Sequence, residues 1–174
     1  MLEQLTLDPD PDPDAFAPTR SAVISEDGLY RYRLDRRWAD SPSIVWLMLN
    51  PSTADAEAED ATSRRVQAFS RAWGFGALTI VNLYAYRATD PHALWLAADP
   101  VGQENDAYLA EACAQSDVIA AWGANARPDR IAEVLALPGM ARVQALEVTK
   151  AGQPRHPLYL RGDLTPQPWE NPNV

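Results

Sequence analysis

Four apolar runs in this chain each end in a polar loop, and the loop side chains have types that could do chemistry together. Ile44 through Leu49 leads into Asn50-Pro51-Ser52-Thr53, and Ala77–Asn82 is followed by Tyr84 and Arg87. Asp117–Trp122 leads into Gly123-Ala124-Asn125, and Arg142–Val148 precedes His156-Pro157-Leu158-Tyr159-Leu160. A carboxamide donates and accepts hydrogen bonds, so it can orient water or read a polar ligand, but it takes up no proton. An imidazole can do both near neutral pH. Ligands of open α/β sheets bind beyond the carboxyl ends of the strands. Asn50, Asn82, His156 and several aromatic rings would therefore share one sheet edge if the four runs are parallel strands.

The rest of the chain is patterned to make them so. The runs Ser43–Leu49, Ala77–Asn82, Asp117–Trp122 and Arg142–Val148 are continuous and apolar, as buried parallel strands are. Between them, Ala61–Trp73 spaces Val66, Phe69 and Trp73 as a helix, with Asp60 as cap and Gly74 as stop. A short turn is expected at Ala93–Leu96, a helix from about Gln103 to Gln115, and another from Pro128 to near Leu137. Ala22–Ser25 and Leu29–Arg37 flank Glu26-Asp27-Gly28, a hairpin signal. The Pro-punctuated tail from Ala151 onward reads as mostly irregular. Strands alternating with helices predict an α/β domain in three layers, α/β/α, whose central four-stranded parallel sheet carries an N-terminal β-hairpin.

Composition narrows the function. The chain has 174 residues, 47 % of them hydrophobic, enough for one packed domain. We expect residues 1–20 to form a disordered acidic arm and residues 21–174 a single domain. The arm holds Glu3, Asp8, Asp10, Asp12 and Asp14 against Arg20 alone, and so carries nearly half of the net charge of −9. A protein that coats nucleic acid without specificity would be basic. Lys150 through Arg161, with Lys150, Arg155 and Arg161 and no acid, is a local positive segment. The lone Cys113 excludes an internal disulfide or thiolate cluster and reads as core. Without a signal-peptide pattern or a bilayer-length apolar run, we expect a cytoplasmic protein that does not enter membranes.

The order of these motifs resembles the uracil-DNA glycosylase superfamily. An apolar strand with Asn-Pro-Ser, a second with Asn, a third with Gly-Ala-Asn, and a final His-Pro-x-x-Leu occur in that sequence. Leu-Asn-Pro-Ser-Thr-Ala-Asp, Val-Asn-Leu-Tyr-Ala-Tyr-Arg and His-Pro-Leu-Tyr-Leu are also similar to domain of unknown function family 1643, from about Glu26 onward. The first resemblance implies a uracil-DNA glycosylase-like fold and a hydrolase acting in DNA repair. It would remove a damaged or deaminated base by base flipping and cleavage of the N-glycosidic bond. Carried onto this chain, it implies that Asn50 positions the attacking water and His156 contacts the leaving base. Pro51, Ser52, Asn82 and Tyr84 would bind the base, with Asn82 reading its edge and Tyr84 stacking. Leu158 or Tyr159 would wedge into the stack, and Lys150, Arg155 and Arg161 would hold phosphates. No metal or cofactor is implied, the substrate is DNA or another nucleobase-containing molecule, and a monomer is expected.

Alternatives remain open at several positions. A protein of the same fold that binds a nucleobase or nucleotide without glycosylase activity would use the same loops. Asp55, Glu57, Glu59 and Asp60 are either a solvated acidic face or contribute Asp55 or Asp60 as a base or magnesium ligand. Arg64 and Arg65, at the unfavourable end of a helix dipole, are expected to face an anion or these acids. Trp122 reads as core, and His92 receives no role.

Overall fold

The computed structural model describes residues 16–114 and 116–172. Thr19–Ile24 (β1) and Arg31–Arg37 (β2) pair antiparallel. The turn between them contains Gly28 at φ +73°, a conformation open to glycine at no steric cost. Ser43–Met48 (β3) follows, then the helix Ala61–Ala72 (α1) and Ala77–Asn82 (β4). Pro91–Leu96 (α2) and Asn105–Cys113 (α3) lead to Val118–Ala120 (β5). Pro128–Leu135 (α4), Val143–Ala145 (β6) and Gln167–Pro168 (β7) complete the elements, with 3-10 turns at Met140–Arg142 and Pro157–Tyr159.

One mixed sheet runs in the order β1-β2-β4-β3-β5-β6-β7. Its middle four strands, β4-β3-β5-β6, are parallel; β1, β2 and β7 run antiparallel to their neighbours. Side chains alternate across the strands. Ile44, Trp46 and Met48 join Leu78, Ile80 and Ile119 in a core completed by Val66 and Phe69 of α1. Val45 and Leu47 join Val81, Val118 and Val143 in a second core with Leu109 and Cys113 of α3, Ile131 and Val134 of α4, and Leu94 of α2. β3 and β4 are thus apolar on both sides, which is why they read as unbroken runs. Burial pushes the Cys113 thiol up to about 12.

Among the described residues the sheet has seven strands where four plus a hairpin were expected, because the tail contributes β7 against β6. β5 and β6 are shorter than their apolar runs, with three paired residues each. α3 begins two residues late, after a turn at Gly102 (φ +85°), and α4 ends at Leu135. The expected acidic arm lies outside the described residues as far as residue 15, whereas Thr19 and Arg20 already pair in β1 with Arg37 and Arg36. Among the described residues, no helix is long and apolar enough to cross a membrane.

Two features aim this scaffold at one edge. Met48 pairs with Asn82 and Leu47 with Ala120, so β3, β4 and β5 end at one level. β2 runs antiparallel to β4, so its first residue, Arg31, lies at the end where β4 finishes; its N–H donates to the Ala85 carbonyl at 2.9 Å.

Candidate functional site

A cavity of about 480 Å³ opens at this edge. Its wall includes Asn50 and Ser52 after β3, Asn82 at the end of β4, and Trp122 through Asn125 after β5. His156, Leu158 and Tyr159 come from the tail, Asp60, Thr62 and Ser63 from the start of α1, Arg31 from β2, and Thr89 from the loop before α2.

Asn50 is anchored by its amide. Nδ2 donates to the Pro51 carbonyl at 3.1 Å and to the Ala88 carbonyl at 2.8 Å, which fixes the flip of the carboxamide and leaves Oδ1 as an acceptor. Ala88 N–H in turn donates to Pro51 O at 3.0 Å, so Pro51 shapes the loop and stays off the cavity wall.

Asn82 differs in having nothing to hold. It is 1 % exposed, yet its Nδ2 has no hydrogen-bond partner among the described residues. Its backbone is clamped from the other side, where Asn105 Nδ2 donates to the carbonyls of Asn82 (3.0 Å) and Leu83 (3.1 Å). The buried Arg130 adds an Nε hydrogen bond to Leu83 O at 2.9 Å. Nothing in the periodicity of α3 or α4 distinguishes Asn105 and Arg130 from surface residues, and sequence reasoning missed both.

His156 reaches the site through the tail. Gly123 N–H donates to Pro154 O at 2.8 Å and Trp122 Nε1 to Gln153 Oε1 at 3.0 Å, tying the tail to the β5 loop. Trp122 is a core ring, as expected, and also part of this wall. Leu158 N–H donates to His156 Nδ1 at 3.3 Å, so in the neutral ring the proton sits on Nε2. Burial lowers the imidazole pKa below its ordinary 6.5, against an opposing pull from Asp60, and the ring is neutral at pH 7. Arg65 pins the same segment to α1, donating from Nη2 to Leu160 O and from Nε to Pro157 O, while its guanidinium lies 4.6 Å from the Phe69 ring centroid. The helix-start arginines thus serve backbone carbonyls: Arg64 Nη1 donates to Glu59 O at 3.0 Å.

The acidic segment is largely structural. Asp55 Oδ1 accepts from the N–H groups of Glu57 and Ala58, which holds its carboxyl low. Glu59 pairs with the buried Arg36 at 2.6 Å; desolvation opposes ionisation there, but hydrogen bonds from Ser63 and Arg36 outweigh it and lower the pKa. Asp60 Oδ1 accepts from Ser63 N–H at 2.7 Å and Ser63 Oγ from Asp60 N–H at 3.0 Å, a capping box that starts α1 at the cavity wall. Among the described residues, no group of three or more His, Cys, Asp or Glu side chains could hold a metal.

The chain matches over residues 31–158 the model of a family described as Protein of unknown function (DUF1643). It belongs to that family. No curated protein and no solved structure matches it.

For this DUF1643 chain, the structure gathers Asn50, Ser52, Asn82, His156, Leu158 and Tyr159 on one cavity. It does not gather the others. Tyr84, expected to stack on a base, is 2 % exposed and packs edge-on against Trp95, with its hydroxyl accepting from Arg127 N–H at 3.3 Å. Burial raises its pKa. Lys150, Arg155 and Arg161 lie off the cavity wall, Arg155 paired with Glu147 at 2.8 Å and Arg161 with Asp163 at 3.2 Å. Of the wall residues that sequence reasoning missed, Arg31 was legible only with the antiparallel direction of β2 in hand. Asn125 stood in a loop already marked as polar.

Proposed function

We propose that the cavity takes a flipped nucleobase and that the protein hydrolyses its N-glycosidic bond, as a DNA glycosylase-like enzyme with a three-layer fold of the uracil-DNA glycosylase type. The observation that carries this reading is the meeting of Asn50, Asn82 and His156 on one cavity large enough for a base. The C1′–N bond breaks with its electron pair leaving on the base, the oxygen of a water bonds to C1′ as one of its O–H bonds breaks, and that proton passes through solvent to the departed base. Such a transition state resembles an oxocarbenium ion, so it needs a stabilised leaving group and a well-placed weak nucleophile more than a strong base.

Each group fits one of those needs. Asn50 Oδ1, held by the two carbonyls on Nδ2, accepts a hydrogen bond from the water and orients it. The neutral His156 donates from Nε2 to a base oxygen as negative charge develops there, an effect of about 3–4 kcal/mol when such a donor is removed. The unpartnered Asn82 amide reads the base edge. Tyr159, 81 % exposed on the rim, is placed to fill the gap in the stack beside Leu158. The paired Arg155 and Arg161 would exchange exposed carboxylates for phosphates, since such surface pairs are worth about 0–1 kcal/mol.

Those same pairs, on a chain of net charge −9, favour a second reading in which the cavity binds a free nucleobase or nucleotide. Base release from oligonucleotides carrying uracil, hypoxanthine or xanthine separates the two. Release that falls at least 100-fold in both Asn50→Ala and His156→Ala, with folding kept, supports the hydrolase. Activity that survives both substitutions removes these roles, and nucleotide binding without any release selects the second reading.

A further inference from the structure

We propose that Arg31 selects 6-oxopurines, its guanidinium reading the adjacent O6 and N7 acceptors of the base; this rests on the reading of the cavity as a nucleobase site. Arg31 is 3 % exposed and lies on the cavity wall. Nη1 donates to the Ala54 carbonyl at 2.5 Å, whereas Nε is buried with no hydrogen-bond partner among the described residues. No carboxylate of the described residues forms an ion pair with it. Burial brings its pKa down to about 10, so it is charged at neutral pH. With Nη1 committed, the edge formed by Nε and Nη2 is what remains for a ligand. That edge presents two parallel N–H donors, which match two acceptors side by side.

The surrounding groups choose among acceptors. Asp60 and Asp55 attract the guanidinium while Arg87 and Arg36 oppose it, and Asp60 lies on the cavity wall, so an anionic ligand group would meet a carboxylate beside the guanidinium. A neutral base with acceptors and a donor fits better. Hypoxanthine, xanthine and guanine present O6 beside N7, the pair that arginine reads bidentately in DNA grooves. They also carry N1–H, for which the Asp60 carboxylate on the same wall is an acceptor. Adenine offers a donor where O6 would be and an acceptor at N1. Uracil places N3–H between its two carbonyls and has no adjacent acceptor pair. As a purine leaves, negative charge spreads over O6 and N7 as well as the broken position, so a buried guanidinium there assists departure.

The test is calorimetric titration of the protein with hypoxanthine, 7-deazahypoxanthine, adenine and uracil, beside base release from oligonucleotides containing hypoxanthine or uracil. Hypoxanthine should bind at least tenfold more tightly than each of the other three bases, and Arg31→Gln and Arg31→Lys should remove that margin. Equal or tighter binding of uracil, adenine or the 7-deaza base overturns the assignment, as does failure to bind hypoxanthine. Because the 7-deaza comparison is made in the unaltered protein, it decides the matter even if the variants misfold. A purine preference in binding with no release of any base removes the hydrolase reading and keeps this one. Release with uracil favoured does the reverse.

Discussion

Replacing Asn82 with leucine separates a ligand-reading role from a structural one. Leucine keeps the carboxamide's branched skeleton with bulkier methyl ends, and the backbone carbonyl that Asn105 grips is unchanged by the substitution. In the folded protein Asn82 is 1 % exposed with Nδ2 unpartnered, so the native side chain carries a desolvation penalty without a compensating hydrogen bond. Such a penalty is about 1–3 kcal/mol in a dry setting and falls towards zero where cavity water takes the donor. Asn82→Leu should therefore change stability by no more than about 2 kcal/mol, the relieved desolvation offsetting the added methyl bulk beside the cavity. For a domain of this size each kcal/mol moves the melting temperature by about 2–4 °C. Base release, which needs the amide, should drop by about 10–100-fold for one lost hydrogen bond. Thermal unfolding by circular dichroism and single-turnover release measure the two sides. A loss of more than about 2 kcal/mol of stability, or unchanged release, would rule out a ligand-reading role for Asn82.

Other expectations follow from named contacts. Arg36→Met leaves Glu59 facing α1 without its buried partner and should destabilise the fold by about 3 kcal/mol or more in denaturant titration. Gly123→Ala meets open space, the nearest atom being His156 Cβ at 3.9 Å, but sits at φ +78°, so only backbone strain acts and the loss should be about 1–2 kcal/mol. Because His156 is held below 6.5 by burial, the folded state disfavours its protonation. Its contribution to stability is intact above that value and is lost as pH falls from 6.5 towards the lowered pKa. The acid limb of the release profile should likewise lie below pH 6.5, and an NMR titration of the imidazole gives its position. Cys113, with its thiol near 12 and its side chain buried, should resist thiol reagents at pH 8 until the protein is unfolded.

What could be read in the sequence was set by local signals. β3 and β4 are apolar on both faces and long enough for runs such as Ile44–Met48 to stand out. Asp60 declared α1 because a capping residue acts within its own turn. Asn50 and Asn82 were legible because parallel strands oblige their carboxyl ends to share an edge, whereas His156, expected at the same edge, is brought there from well past β6 by the Gly123–Pro154 and Trp122–Gln153 hydrogen bonds. Long-range direction was not legible. Arg31 reaches the cavity only because β2 runs opposite to β4, and the hairpin signal carries no information about which strand it joins. Tyr84 was misplaced for a related reason: it lies two residues past Asn82, yet its ring turns into the core formed by α2, α3 and α4, towards Trp95. β7 has two residues and no apolar pattern, so it depends on its pairing with β6 alone.

The most direct test of the nucleobase pocket is an NMR titration of the isotope-labelled protein with free hypoxanthine and uracil, following the Asn82 side-chain amide and the His156 Nε2–H. A nucleobase pocket at this cavity predicts saturable shifts of both resonances with at least one base. Shifts confined to other parts of the molecule, or none at millimolar base, would contradict it.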